Sequence, residues 1–178
     1  MADADVLELG ILTVSDRAFA GEYDDVSGPA IRAWMERGLT TPFHAQITVV
    51  PDEQEQIEAA LVAYVDDGCD LVLTTGGTGP ARRDVTPEAT LAVAHKVLPG
   101  FGEQMRAISL KYVPTAILSR QVGVIRDSCL IVNLPGSPRS IAEILDELMA
   151  SIPYCIELLE GPYVDTDPDI VNAFRPRK

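Results

Sequence analysis

The run Leu71-Val72-Leu73-Thr74-Thr75-Gly76-Gly77-Thr78-Gly79-Pro80 is followed by Arg82, Arg83 and Asp84. An apolar strand delivers the chain to a point. Three glycines and two threonines there can present backbone N–H groups and hydroxyls, and two cations and a carboxylate come next. Glycine lets a backbone adopt φ > 0 and approach a ligand closely, and successive N–H groups form anion-binding nests. The chemistry this suits is phosphate binding, carried by Thr75, Gly76, Gly77, Thr78 and Gly79. A plain turn after a strand accounts for one or two of the glycines. The run is not a Walker loop, because no lysine follows, and it does not match G-x-G-x-x-G.

The other candidates each carry two readings. Asp84 is either a loop carboxylate paired with an arginine or a magnesium ligand, since Mg2+ is usually held by one or two carboxylates plus substrate phosphates. Asp52, with Glu55, reads as a capping box for the helix that follows, and a cap at a strand end also faces a cleft there. Ser15, in Ser15-Asp16-Arg17, and Ser119, before Arg120, are turn residues or contacts to ligand. So are Asn133 and Gly136 in Asn133-Leu134-Pro135-Gly136. Two like charges 4 Å apart cost about 4 kcal/mol at an effective dielectric of 20. Two aspartates in a phosphate cleft therefore call for a cation between them. With Mg2+, phosphoryl or nucleotidyl transfer becomes positioning plus charge neutralisation. An attacking phosphate monoester, with its second pKa near 6, needs no general base.

Bulk properties narrow the class. The 178 residues, 47% hydrophobic and 23% charged, suit one soluble domain spanning 1–178. The net charge of −13 argues against nucleic acid or an anionic membrane as partner. An anionic ligand then needs a local reversal of sign, available from Arg17, Arg82, Arg83, Arg106, Arg120 or Arg126. Cys69, Cys129 and Cys155 are odd in number and widely spaced, which suits buried thiols in a reducing, cytoplasmic setting. Cys129 lies in an apolar run and reads as core. His44 and His95 are too few for a His-rich metal site. The opening Met1-Ala2-Asp3-Ala4-Asp5 is acidic, unlike a signal peptide, and no apolar run reaches the roughly 20 residues of a membrane span.

The elements that must position these residues alternate. Leu7–Ser15 reads as a buried strand, Ile31–Arg37 as a helix after the Ser27-Gly28-Pro29 break, and Phe43–Val50 as a strand. In Asp52–Asp66, Ile57, Ala60, Leu61, Tyr64 and Val65 recur at helical spacing. Asp70–Thr75 is a strand, and Pro87 opens a helix over Glu88–His95. Phe101, Met105, Ile108 and Tyr112 mark the next helix. Strands Gln121–Ile125 and Cys129–Leu134 follow, then a helix after Pro138 capped by Ser137 or by Ser140 with Glu143. A last helix carries Ile152, Ile156 and Leu159, and Pro162–Lys178 forms a tail that wraps the surface or a neighbour. Such alternation indicates an α/β domain, layered around a mostly parallel sheet. Ligands sit beyond the carboxyl ends of such strands, where Ser15, Asp52, Thr74–Gly79 and Asn133–Gly136 all fall.

Thr74–Thr90, with its Thr-Thr-Gly-Gly-Thr-Gly-Pro-Ala-Arg-Arg-Asp-Val-Thr-Pro-Glu-Ala-Thr sequence, resembles the signature of the MogA-type molybdopterin adenylyltransferases. So do Ile11–Arg17, Val50–Glu53, Pro99–Arg106, Leu118–Arg120 and Asn133–Gly136, in the right order along nearly the whole chain. The ending Pro153–Tyr163 is similar to that of bacterial members. The segment between the Pro138–Leu148 helix and Ser151 is shorter than in some. The resemblance implies a three-layer α/β/α sandwich and a homotrimer. It also implies transfer of AMP from Mg-ATP to the terminal phosphate of molybdopterin, with release of pyrophosphate and passage of the product to a molybdenum-inserting partner protein. It makes the positions of Asp52 and Asp84 essential and places Gly76–Gly79, Ser119 and Asn133 in the pterin and nucleotide pocket. The rival reading is a pterin-binding or scaffold protein on the same fold, against which the intact Asp52 and Asp84 speak. A general nucleotide hydrolase is weakened by the missing Walker lysine.

Overall fold

The computed structural model describes residues 5–177. Met1–Ala4 of the acidic opening and Lys178 of the tail lie outside the described residues. Among the described residues no helix is long and apolar enough to cross a membrane.

Six strands form one sheet in the order β2-β1-β3-β6-β5-β4. They are β1 (Leu7–Val14), β2 (Phe43–Val50), β3 (Leu71–Thr75), β4 (Lys96–Val97), β5 (Gly123–Arg126) and β6 (Cys129–Leu134). β2, β1, β3 and β6 run parallel, with Val14 level with Val50, Thr13 with Thr75, and Thr75 with Leu134. β5 and β4 add by antiparallel pairing. The sheet is therefore mixed, with its four parallel strands all ending on one side.

Period-two alternation sends the strands' side chains to two cores. On one face Leu9, Ile11, Leu73, Leu130 and Val132 meet α2 (Ser27–Gly38), α5 (Pro99–Leu110), α6 (Pro138–Leu148) and α7 (Ile152–Leu158). On the other, Leu12, Val72, Val124 and Ile131 meet α3 (Gln54–Asp66) and α4 (Thr86–Val93). This is the expected three-layer sandwich. Each fully buried Leu or Ile contributes about 1.5–3 kcal/mol, so two covered faces hold the sheet rigidly. Gly10 of β1 lets the Tyr64 ring lie against the sheet: a Cβ there would stand 2.9 Å from the ring. The Tyr64 hydroxyl donates to the Ile11 carbonyl at 2.9 Å.

Several boundaries differ from the sequence reading. α2 begins at Ser27, not Ile31. Asp25 accepts the N–H groups of Ser27 and Gly28 at 3.0 and 3.1 Å, and Pro29 fits the first turn, where its missing N–H costs nothing. α4 stops at Val93, and the next residues turn into β4, whose two residues are too few to show a period. β5 starts at Gly123, two residues late. α6 starts at Pro138, which places Ser140 inside the helix, and Ser137 holds the cap position without a side-chain bond. The tail folds back on its own chain: Thr166 bridges Leu39, Val164 and Val171 are buried, and the Phe174 N–H donates to Ala150.

Candidate active site

The chain crosses from β1 to β2 through α2 on one face and from β2 to β3 through α3 on the other. The ends of β1 and β3 thus form a topological switch point, the usual ligand crevice of such sheets. A short helix α1 (Asp16–Phe19) starts there, with Ser15 as its cap: the Ser15 Oγ accepts Ala18 N–H at 3.2 Å and pairs with the Tyr23 hydroxyl at 2.9 Å.

The glycine loop leaves β3 in a conformation only glycine adopts easily. Gly76 and Gly77 have φ of +92° and +66°, and a side chain at either would collide, with Val14 O or with Thr86 Oγ1 respectively. Thr86, the first residue of α4, fastens the turn by donating from Oγ1 to Gly76 O at 2.9 Å and from N to Gly77 O at 3.2 Å. Gly79 passes close to Asp84, whose Oδ2 would lie 2.8 Å from a Cβ there. That Oδ2 accepts Ala81 N–H at 3.0 Å, so the carboxylate is folded back over its own loop.

Asp52 does not cap α3. The cap position is Glu53, which makes no side-chain cap bond. The Asp52 carboxylate instead accepts Asp16 N–H at 2.8 Å, and Asp16 accepts Asp52 N–H at 2.9 Å. Each aspartate thereby satisfies the other's backbone across the ends of β1 and β2. Asp52 Oδ1 sits 3.2 Å from where a Gly77 Cβ would be, so the glycine is also what lets the carboxylate reach the loop. Burial, chiefly, holds the Asp52 carboxyl above its ordinary value, and the charges of Asp16 and Asp84 add to that push. The structure therefore brings Asp52, Asp84 and Gly76–Gly79 together.

The arginines divide sharply. Arg120 donates to Gly79 O at 2.8 Å and to Asp84 O at 2.7 Å and pairs with Glu88, stapling the loop from outside. The hydrogen bonds from Arg120, with its charge adding to them, hold the Glu88 carboxyl below its ordinary value. Arg83 pairs with Asp16 and Glu53. Arg17 lies over Tyr23 beside Glu22, and Arg106 reaches the carbonyls of Ser119 and Gln121. Arg126 bonds Val93 O near the β5–β6 turn, away from the cleft. Arg82 remains exposed beside the loop.

A cavity of about 320 Å3 opens next to the loop, lined by Thr78, Gly79, Ser109, Leu118, Ser119 and Ser140 among others. Ser119 is thus at the cavity, hydrogen-bonded to Gln121. Gln121 also lines it, is 2% exposed, and donates to Asn133 O at 3.2 Å. Nothing in the sequence singled it out, because a glutamine before a strand has no signature. Gly136 lies against Gly76, and its carbonyl accepts the Ser27 hydroxyl at 2.7 Å. Two other expected residues turn inward. The Thr75 hydroxyl donates to Pro135 O at 2.7 Å. The Asn133 amide is fully buried and donates to Thr74 and Thr90 at 3.0 and 2.9 Å, joining β6, β3 and α4.

No cluster of three or more metal-ligating side chains exists among the described residues. Asp52 and Asp84 each engage one carboxylate oxygen with a backbone N–H, leaving the other for a hard cation. That donor set fits Mg2+, which takes one or two carboxylates and completes its shell with water and phosphate. Thiol chemistry does not fit. Cys69, Cys129 and Cys155 are free, and burial pushes the Cys69 thiol up to about 11 and Cys129 higher still.

Comparison with known proteins identifies the family. Residues 10–154 match the family described as "Probable molybdopterin binding domain". The molybdopterin adenylyltransferase of Escherichia coli K12 is 58% identical over 184 residues, covering 96% of this chain and 94% of that one. The Haemophilus influenzae enzyme of the same name is 54% identical, covering 97% and 94%. Among solved structures, the molybdopterin biosynthesis enzyme MoaB of Thermus thermophilus superposes with a TM-score of 0.80 at 42% identity, covering 88% of this chain and 99% of that one. The chain belongs to the MoaB/MogA family of molybdenum cofactor biosynthesis proteins.

Proposed function

We propose that this protein is a molybdopterin adenylyltransferase, moving AMP from ATP onto the terminal phosphate of molybdopterin. An oxygen of the pterin phosphate attacks the α-phosphorus of ATP, a new phosphoanhydride bond forms, and the bond to the β-phosphate oxygen breaks to release pyrophosphate. The observation that carries this reading is the meeting of Asp52 and Asp84 over the Gly76–Gly79 loop, beside a cavity of about 320 Å3. The high identity to enzymes of that name supports it.

The residues divide the work. Asp52 and Asp84 would hold Mg2+, which would neutralise the phosphates and stabilise charge on the leaving group. The Gly76–Gly79 amides and the Thr78 hydroxyl cradle the pterin phosphate or the transferred group, since the Thr75 hydroxyl is already engaged. Arg82 offsets the net acidity. Ser15, Ser119 and Gly136 line the substrate path, and Asn133 acts from behind by fixing β3 and β6. The attacking phosphate is ionised at neutral pH, so no base is required. His44 and His95 are accordingly occupied elsewhere, with Glu8 and Asp127. One cytoplasmic domain of residues 1–178, a homotrimer, and delivery of the product to a molybdenum-inserting partner complete the reading. The exposed apolar side chains Leu110, Tyr112, Val113, Ile117 and Leu118 offer surface for assembly.

The test is an adenylylation assay with Mg-ATP and molybdopterin. The unmodified chain is expected to form adenylyl-molybdopterin, and Asp52→Ala and Asp84→Ala are expected to lose it. Full turnover by both variants would remove the two carboxylates from the mechanism. Pterin binding with no ATP-dependent product would make the protein a carrier.

A further inference from the structure

We propose that Arg83 is a positioning residue, strapping the Asp84 loop to Asp16 and Glu53 so that Asp84 is held at a fixed distance from Asp52. This rests on the reading of Asp52 and Asp84 as the magnesium-holding pair. The sequence presents Arg82 and Arg83 as equivalent cations beside a phosphate loop. The structure separates them. Arg83 grips Asp16 with two parallel bonds, Nε to Oδ2 at 3.0 Å and Nη2 to Oδ1 at 2.8 Å. Its third nitrogen, Nη1, reaches Glu53 at 2.9 Å. All three guanidinium nitrogens are therefore committed to protein carboxylates, and none is left facing a phosphate alone.

What Arg83 grips is the partner of Asp52. Asp16 accepts the Asp52 N–H and gives its own to the Asp52 carboxylate. Glu53 follows Asp52 in the chain, and Asp84 follows Arg83. Arg83 is thus the chain neighbour of Asp84, and its guanidinium is linked to Asp52 through one hydrogen-bonded residue, Asp16. The loop between its ends is stiff, because Ala81 N–H holds the Asp84 carboxylate and Arg120 holds the Asp84 carbonyl. A planar fork suits a bidentate carboxylate, whereas lysine offers a point charge without that geometry. The side chain is about half exposed, and exposed pairs add little to stability. The strap therefore acts on the spacing of the two carboxylates more than on folding.

The experiment measures binding of a non-hydrolysable ATP analogue by calorimetry across a Mg2+ titration, on the full chain, with thermal unfolding alongside. Arg83→Ala should raise the Mg2+ concentration for half-maximal binding by about 10–100-fold, the usual effect of removing a group that orients a ligand. Analogue affinity at saturating Mg2+ should change little. Arg83→Lys, which keeps the charge, should behave like Arg83→Ala and stands in for it if the alanine variant misfolds. Asp16→Asn should reproduce the Mg2+ shift, and the double variant should be no worse than the worse single one. The strap is overturned if Arg83→Ala weakens the analogue at saturating Mg2+ while Asp16→Asn does not, because that is the behaviour of a phosphate ligand. It is also overturned if the Mg2+ requirement is unmoved in Arg83→Ala but altered in Asp52→Ala and Asp84→Ala. An unmoved requirement in those two aspartate variants overturns the underlying functional reading, and the strap with it.

Discussion

Asp52 and Asp70 are near twins at opposite ends of the sheet. Each is half-buried, each accepts a backbone N–H, from Asp16 just past β1 at 2.8 Å and from Glu8 within β1 at 2.9 Å, and each is held above its ordinary pKa chiefly by burial. Their surroundings differ. Asp70 lies at the start of β3 near Cys69 and Cys129, with Glu8 as its acidic neighbour. Asp52 lies at the end of β2, where Asp16, Asp84 and a left-handed glycine turn converge on it. A perturbed carboxylate is therefore not a site by itself. Convergence of several chain segments at the switch point makes the difference.

The sharpest way to break this comparison is to delete both carboxylates. Asp52→Ala should lower adenylylation by at least about 100-fold, the scale of a lost transition-state electrostatic contact. Asp70→Ala should keep activity and lose roughly 1 kcal/mol of stability through the unpaired Glu8 N–H. Equal activity losses would mean that the two ends are not distinct. The glycines give a second, smaller contrast. Gly77→Ala meets both a φ of +66° and Thr86 Oγ1, whereas Gly68, at φ +88°, has open space around it. Gly68→Ala should cost about 1–2 kcal/mol of backbone strain and leave turnover intact, while Gly77→Ala should lose stability and turnover together. Unfolding curves and initial rates on both variants check this.

The smallest effect is in the sign of pH dependence. Asp70 has a raised folded pKa, so between its unfolded and folded values the native state binds more protons, and stability falls as pH rises through that window. Asp16 is lowered, first by its bond from Arg83. Its contribution is present above the unfolded value and is lost as pH falls through the lowered folded one. Asp70→Asn should thus remove a penalty felt at neutral pH, and Asp16→Asn should remove a stabilisation felt there. Melting temperatures recorded from about pH 3 to 7, spanning the carboxylate range, should move in opposite directions at the neutral end.

The layers were legible because their signals are local. The stripe Ile57–Leu61–Tyr64 faces the core as its spacing requires, and the apolar runs of β1, β3 and β6 are buried as strands. The glycine run and Asp84 were legible as a loop for the same reason. What stayed hidden depends on partners distant in sequence. Asp52 with Glu55 looked like a helix cap, but Asp16 N–H, 36 residues away, takes the carboxylate. Asn133 looked like a turn residue, yet Thr74 and Thr90 draw its amide inside. Arg83 and Arg120 looked like phosphate cations, and carboxylates and carbonyls of other segments occupy them.

Cys129 gives the molecule a built-in clock. The residue is 1% exposed in the core beneath α4, and alkylating reagents need a thiolate that burial suppresses. Labelling of Cys129 in native solution must then wait for the sheet to open, whereas the partly exposed Cys155 reports only local loosening of the α7 layer. The rate ratio of the two thiols therefore reads global against local opening without any added probe.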